Sequence, residues 1–204
     1  ADEQPIHTVS LEGFYGDLHE VTAGDYARCV SAGGCTYTGP SGDGDLGGEG
    51  AKRTYNNSRD NHPMNFVSWD QAKAYCAWRG KRLPTEAEWE RLARGSDGRT
   101  YPWGNTPAPS CDYAVFSDGC GTGQTFAVAQ KGQGAASSGA LDMAGNVAEW
   151  TLDYYDAGYY GTSPGSNPTG PASGTNRVVR GGDFLGDANA MRVSARANRA
   201  PSTL

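Results

Sequence analysis

Two stretches, Ser68-Trp69-Asp70-Gln71 and Thr85-Glu86-Ala87-Glu88, carry the capping-box pattern. A hydroxyl at the N-cap and a Gln or Glu three positions on satisfy the first free amides of a helix reciprocally. Each stretch is closed downstream by a glycine, Gly80 and Gly95, the residue that most readily ends a helix. The pattern predicts two short helices joined by Lys81-Arg82-Leu83-Pro84 and packed as an antiparallel or crossed pair. Trp69, Ala72 and Cys76 recur at helical spacing, which places them on the core face of the first. A further helix is predicted from Thr22 to about Val30. Elsewhere the chain resists regular structure, with 30 Gly and 11 Pro in 204 residues, a glycine share about twice the usual ~7%. Short strands are predicted over residues 8–14, 125–129, 177–180 and 191–196. The fold class is therefore α+β with many irregular loops, and residues 36–61 form the longest of them. Within that loop Asp43-Gly44-Asp45-Leu46-Gly47-Gly48-Glu49 looks like a calcium loop. It fails the EF-hand pattern, because Gly47 and Thr54 stand where that loop needs oxygen-bearing Asp/Asn and Glu.

Composition narrows the partners. The formal charge is −6 and the pI about 5.0, with Lys and Arg scattered along the chain, which argues against nucleic acid as partner. No apolar run approaches the ~20 residues that a membrane-spanning helix needs. Ala1-Asp2-Glu3-Gln4 has no signal-peptide character, so export would require a leader already removed. Five cysteines are present, Cys29, Cys35, Cys76, Cys111 and Cys120. Cys29/Cys35 and Cys111/Cys120 lie close in sequence around glycine-containing loops. Two local disulfides are the expectation, and with them an oxidising compartment. Free buried thiols or a metal site remain the alternatives; against metal, there is no C-x-x-C, and His7, His19 and His62 lie far from both pairs.

The capping-box segment, extended to Gly80-Lys81-Arg82-Leu83-Pro84-Thr85-Glu86-Ala87-Glu88-Trp89-Glu90, is followed in order by Gly145-Asn146-Val147-Ala148-Glu149-Trp150 and Arg180-Gly181-Gly182. With Phe14 to Thr22 and His62 to Trp69, these segments resemble the sulfatase-modifying-factor family, whose best-known members are the formylglycine-generating enzymes. The resemblance covers nearly the whole chain and implies one domain over residues 1–204 with a C-type-lectin-like fold. It also implies a Gly-Phe-Arg-Cys segment near the C-terminus, whose cysteine would pair with Cys76. The chain reaches Leu204 before such a motif, so a separated or continuing C-terminal segment, or a neighbouring domain, is expected to supply it.

The resemblance implies structural calcium held by Asp142, Gly145, Val147 and Glu149, with Gly145 and Val147 contributing main-chain oxygens. Carboxylates and turn carbonyls are the hard donors that calcium prefers. The alternative is a strand-end turn whose Glu149 pairs with an Arg of the Arg-Gly-Gly segment. A second calcium would fall near Asp112 and Tyr113. The enzymes carry a copper(I)-binding cysteine pair after the Gly-Gly step, and a soft thiolate pair is what copper(I) requires. Here residues 181–192 contain no cysteine and only one sulfur, Met191, so no copper and no formylglycine formation are expected. A family branch that uses iron on three histidines needs a helical domain that has no counterpart here.

A binding surface is expected from Trp150, Tyr154 and Tyr155 together with Asp183, Asp187, Arg192 and Arg196, the late arginines pairing with Asp183 and Asp187. The reading is an extracytoplasmic (secreted, periplasmic or cell-surface), non-catalytic module that recognises a protein, peptide or glycan. An enzyme of altered chemistry on the same scaffold, or a structural or regulatory domain of a larger protein, are the alternatives.

Overall fold

Helices form where the capping chemistry places them. The computed structural model describes residues 2–40 and 52–204, so the acidic loop at 43–49 lies outside the described residues. Helix α1 spans Ala23–Ser31, α2 Trp69–Trp78, α3 Glu86–Arg94 and α4 Ser117–Cys120. Thr22 accepts from the Asp25 N–H at 3.0 Å to open α1. Both predicted boxes are formed: Ser68 and Gln71 exchange bonds of 3.3 and 3.0 Å, and Thr85 and Glu88 of 3.2 and 2.8 Å. Each such cap is worth about 1 kcal/mol.

The helices differ from expectation in how they pack. Helix α2 lies against α1, whereas α3 lies against strands β1 (Glu149–Tyr154) and β2 (Arg177–Arg180). The linker, residues 79–85, thus separates two packing units instead of closing a helical hairpin. On α2 the most buried positions are Trp69, Gln71 and Tyr75, while Ala72 and Cys76 are half-buried.

Strand β3 (Ala197–Arg199) completes an antiparallel sheet of order β1-β2-β3. Glu149 faces Arg180 and Trp150 faces Val179; a bulge then shifts the register so that Tyr154 faces Arg177. The strand predicted at 177–180 is present. Residues 8–14 contribute only an isolated bridge, Ser10 to Ser166, residues 125–129 are loop, and the pairing expected over 191–196 begins instead at Ala197.

Trp89, 1% exposed, centres one core cluster with Ala93, Ala136, Ala140, Met143 and Val193; Tyr26, Cys29, Tyr75 and Met64 belong to another. Disulfides Cys29–Cys35 and Cys111–Cys120 join Cα atoms 5.3 and 4.8 Å apart, and Cys76 is free. Between α3 and the sheet runs a buried ion network. The fully buried side chain of Arg180 donates to Glu90 at 2.6 Å and to the main-chain oxygens of Val193 and Ala195 at 2.7 and 2.6 Å. Arg196 clasps Glu86 through two bonds of 2.8 Å. The late arginines therefore do not pair with Asp183 and Asp187. Those carboxylates cap their own turns, Asp183 accepting from Leu185 and Asp187 from Asn189 and Ala190.

Asp153 closes this network from below, accepting the Glu86 N–H at 2.8 Å. Burial, reinforced by the charges of Glu86 and Glu88, pushes its pKa up to about 7. A carboxyl whose pKa is higher folded than unfolded binds its proton preferentially in the folded state. Its contribution is complete below about pH 4 and lost as pH rises to about 7. Asp153→Asn is predicted to make the decline in stability between pH 4.5 and 7.5 shallower, by an amount on the order of a few kcal/mol; urea midpoints across that range check it.

Candidate functional site

The turn that leads into β1, residues 142–146, is built from residues in an unusual backbone region. Asp142, Gly145 and Asn146 all have positive φ, at 58°, 79° and 62°. Gly145 is required, because a Cβ there would stand 2.2 Å from the Val115 carbonyl oxygen. Asn146 tolerates the left-handed region and spends every polar group. Its amide donates to Glu20 at 2.7 Å and its side-chain oxygen accepts from Phe126 N–H at 2.9 Å. Its own N–H reaches the Val115 oxygen at 2.8 Å, and its carbonyl accepts from Phe184 at 3.1 Å.

Around this turn sit three carboxylates, Glu20, Asp142 and Glu149. Glu20 also accepts from Val147 N–H at 3.1 Å, Asp142 from Ala129 N–H at 2.5 Å, and Glu149 from the Trp89 indole at 3.1 Å. Burial raises the pKa of Glu20 well above the carboxylate range, and the charges of Asp142 and Glu149 raise it further. Glu149 is half-buried as a residue, but its carboxyl is enclosed, and burial followed by the Asp142 charge carries it to about 7. Burial also raises Asp142, opposed by the Ala129 N–H and the charges of His19 and Lys131. Among the described residues none of the three forms a salt bridge. The pairing of Glu149 with the Arg-Gly-Gly arginine does not occur, since Arg180 is committed to Glu90 and main-chain oxygens.

Among the described residues no group of three or more His, Cys, Asp and Glu residues could hold a metal ion by side chains alone. The Asp142, Gly145, Val147 and Glu149 set is of another kind, with two carboxylates and two main-chain oxygens. No described residue donates to the carbonyls of Gly145 or Val147. Two buried carboxyls that form no salt bridge among the described residues, together with main-chain oxygens of the same turn, are a donor set compatible with a hard cation such as calcium. Glu20 had no local signal in the sequence, standing 126 residues from Asn146. By contrast, Asp112 is exposed, and Tyr113 packs its ring against Trp103 at 5.2 Å.

The remaining predicted surface residues divide. Trp150 donates to the Val67 oxygen at 3.0 Å, and Tyr154 stacks under Arg177, whose guanidinium is 3.5 Å from the ring centroid. Both rings serve internal contacts. Tyr155, Arg192 and Arg196 share another face: Tyr155 bonds Asp2 at 2.8 Å and Arg192 pairs with Glu3 at 2.8 Å. Beyond β2, Gly181 and Gly182 turn the chain at φ 89° and 70°. Met191 is fully buried against Gly182. The free Cys76 lies on α2, its thiol pushed up by burial and by Asp17.

The profile of the sulfatase-modifying factor enzyme 1-like domain matches residues 1–204. The formylglycine-generating enzyme of Streptomyces coelicolor is 34% identical over 98% of this chain. This chain belongs to the sulfatase-modifying factor enzyme 1-like family. It spans 42% to 78% of the length of the formylglycine-generating enzymes that it matches from Streptomyces coelicolor, Thermomonospora curvata, mouse and cattle. It is also 37% identical, over 69% of its length and 46% of the relative's, to the cattle protein named inactive C-alpha-formylglycine-generating enzyme 2. Among solved structures, Treponema denticola variable protein 1 superposes with a TM-score of 0.73 at 26% identity, covering 97% of this chain and 82% of that one. The α+β, formylglycine-generating-enzyme-type fold expected from the motifs is the fold found.

Because Asn146 joins segments from four parts of the family fold, its replacement is costly. Asn146→Ala is predicted to lower stability by about 3 kcal/mol or more, since it strands a buried Glu20 oxygen and the Phe126 N–H. Chemical denaturation with the two disulfides intact checks it.

Proposed function

We propose that this chain is a non-catalytic, lectin-like binding module of its family, working outside the cytoplasm on a protein, peptide or glycan ligand, with a structural calcium ion at the Asp142–Glu149 turn. The observation that carries the reading is the state of the thiols. Four of five cysteines are in disulfides, and the fifth, Cys76, sits on α2 with a raised pKa. Thiol exchange with a substrate cysteine needs a thiolate, and a copper(I) centre of the family kind needs two. Residues 181–192, which follow the Arg-Gly-Gly step, offer only the buried thioether of Met191. The relative named inactive shows that the family includes members so described.

Two disulfides support an oxidising compartment. No helix among the described residues is long and apolar enough to cross a membrane. For the calcium, Asp142 and Glu149 would supply carboxylate oxygens and Gly145 and Val147 main-chain oxygens; the ion would neutralise buried charge that the protein leaves unpaired.

The test is peptide conversion. Purified protein with calcium, copper(I), oxygen and a cysteine-containing sulfatase peptide is followed by mass spectrometry. No formylglycine product is expected. Product above a control lacking the protein, in a preparation free of the host's own enzyme, would contradict the reading.

A further inference from the structure

The N-terminal segment lies across the face that carries Tyr155, Arg192 and Arg196. It is anchored at Ser10, which exchanges main-chain bonds of 2.9 Å with Gly165 and Asn167. Upstream of that anchor its hold on the body is polar. Glu3 makes two bonds of 2.8 Å to the Arg192 guanidinium, which Ser194 also steadies at 3.1 Å. The Asp2 carboxylate accepts from the Tyr155 hydroxyl at 2.8 Å, and the Asp2 main-chain oxygen accepts from Arg196 at 3.0 Å. The His7 ring meets Tyr160 edge-on at 5.0 Å. Within residues 2–7 the aliphatic side chain besides Pro5 is Ile6, 88% exposed, while the partly buried Val9 lies next to the Ser10 anchor. Releasing residues 2–7 would therefore uncover little apolar surface.

The face beneath is chemically selective. Arg196 is already neutralised by Glu86, so it offers a main-chain acceptor a spare N–H. Arg192, with a side chain 33% exposed, has Glu3 as its one salt-bridge partner among the described residues, with the Asp187 charge acting on it from further off. The set therefore reads one carboxylate in a bidentate fork, a second on a phenol, and a peptide carbonyl between them. A bidentate guanidinium and a rigid aromatic hydroxyl are efficient recognition groups. A chain with a net charge of −6 and, on this face, one arginine whose salt bridge is to the segment itself does not suit a phosphate backbone.

We infer that the face formed by Tyr155, Arg192 and Arg196 is a docking site for an acidic peptide, and that Asp2-Glu3 is its intramolecular occupant, displaced when a partner's acidic segment binds. This rests on reading the chain as a binding module, and it names the chemistry of the ligand. An intramolecular occupant competes at a high effective concentration, so the intact chain binds such a peptide weakly.

The probe is a fluorescent peptide of residues 2–7, Asp-Glu-Gln-Pro-Ile-His, beside its neutral counterpart Asn-Gln-Gln-Pro-Ile-His. Anisotropy is read at low salt on the full chain. The double variant Asp2→Asn, Glu3→Gln is expected to bind the acidic peptide at least tenfold more tightly than the unaltered chain, and Glu3→Gln alone to an intermediate degree. Adding Arg192→Gln is expected to abolish the gain, and the neutral peptide to show none. No gain in either variant, equal binding of both peptides, or a gain that survives Arg192→Gln would overturn the inference. Thermal unfolding of the variants confirms that the body is intact. The outcome is separable from the conversion assay. Product there would overturn the non-catalytic reading without touching this binding result, and failure of the acidic peptide to bind would leave that reading standing.

Discussion

The structure depends on the burial of three carboxyls around one turn. Glu20, Asp142 and Glu149 share the neighbourhood of Asn146, each with a raised pKa and none in a salt bridge among the described residues. An isolated buried carboxylate is expensive, and single hydrogen bonds from Trp89 or Ala129 offset only part of that cost. Yet much of the chain is arranged through this turn. It receives the segment of Glu20, the disulfide loop at Val115, the 126–129 loop and the residues after the Gly-Gly turn at Phe184. With so few regular elements, a polar hub takes on organising work that ladders and helix stripes perform elsewhere.

The second charged cluster is balanced internally. Arg180 and Arg196 bring two guanidiniums to Glu86 and Glu90, main-chain oxygens of Val193, Ser194 and Ala195 accept further N–H groups of Arg180, and its buried Nε is left without a hydrogen-bond partner among the described residues. Buried pairs add little net stability over apolar packing but are costly to break singly. Here they fix how α3 sits on the sheet. The contrast between the clusters is informative: one is built of ion pairs, while the carboxyls of the other form no salt bridge among the described residues.

Elements written in local chemistry were legible in the sequence. The caps at Ser68 and Thr85, the glycine stops and the strand at Arg177–Arg180 follow from neighbours a few residues apart. The two disulfides were legible for the same reason, each closing a short glycine-containing loop. What escaped was set by distant residues. The partners of Arg192 and Arg196 are Glu3 and Glu86, far along the chain, and Asp183 and Asp187 lost to them because the turns at Leu185 and Asn189 already use those carboxylates. Glu20 had no neighbour to announce it. Residues 8–14 alternate suitably, but their pairing with the 165–167 segment stops at one bridge, and residues 125–129 join no strand ladder; strand character needs a partner.

This chain thus has the family fold and a turn of buried carboxyls, and residues 181–192 contain no cysteine. The measurement that bears most directly on this is thermal unfolding at neutral pH in a chelator and in calcium, on the unaltered chain and on Glu149→Gln. Calcium is predicted to stabilise the unaltered chain, by about 2.7 kcal/mol at a hundredfold excess over its dissociation constant, and to leave Glu149→Gln nearly unmoved. An unaltered chain indifferent to calcium, or a Glu149→Gln variant that responds equally, would contradict it.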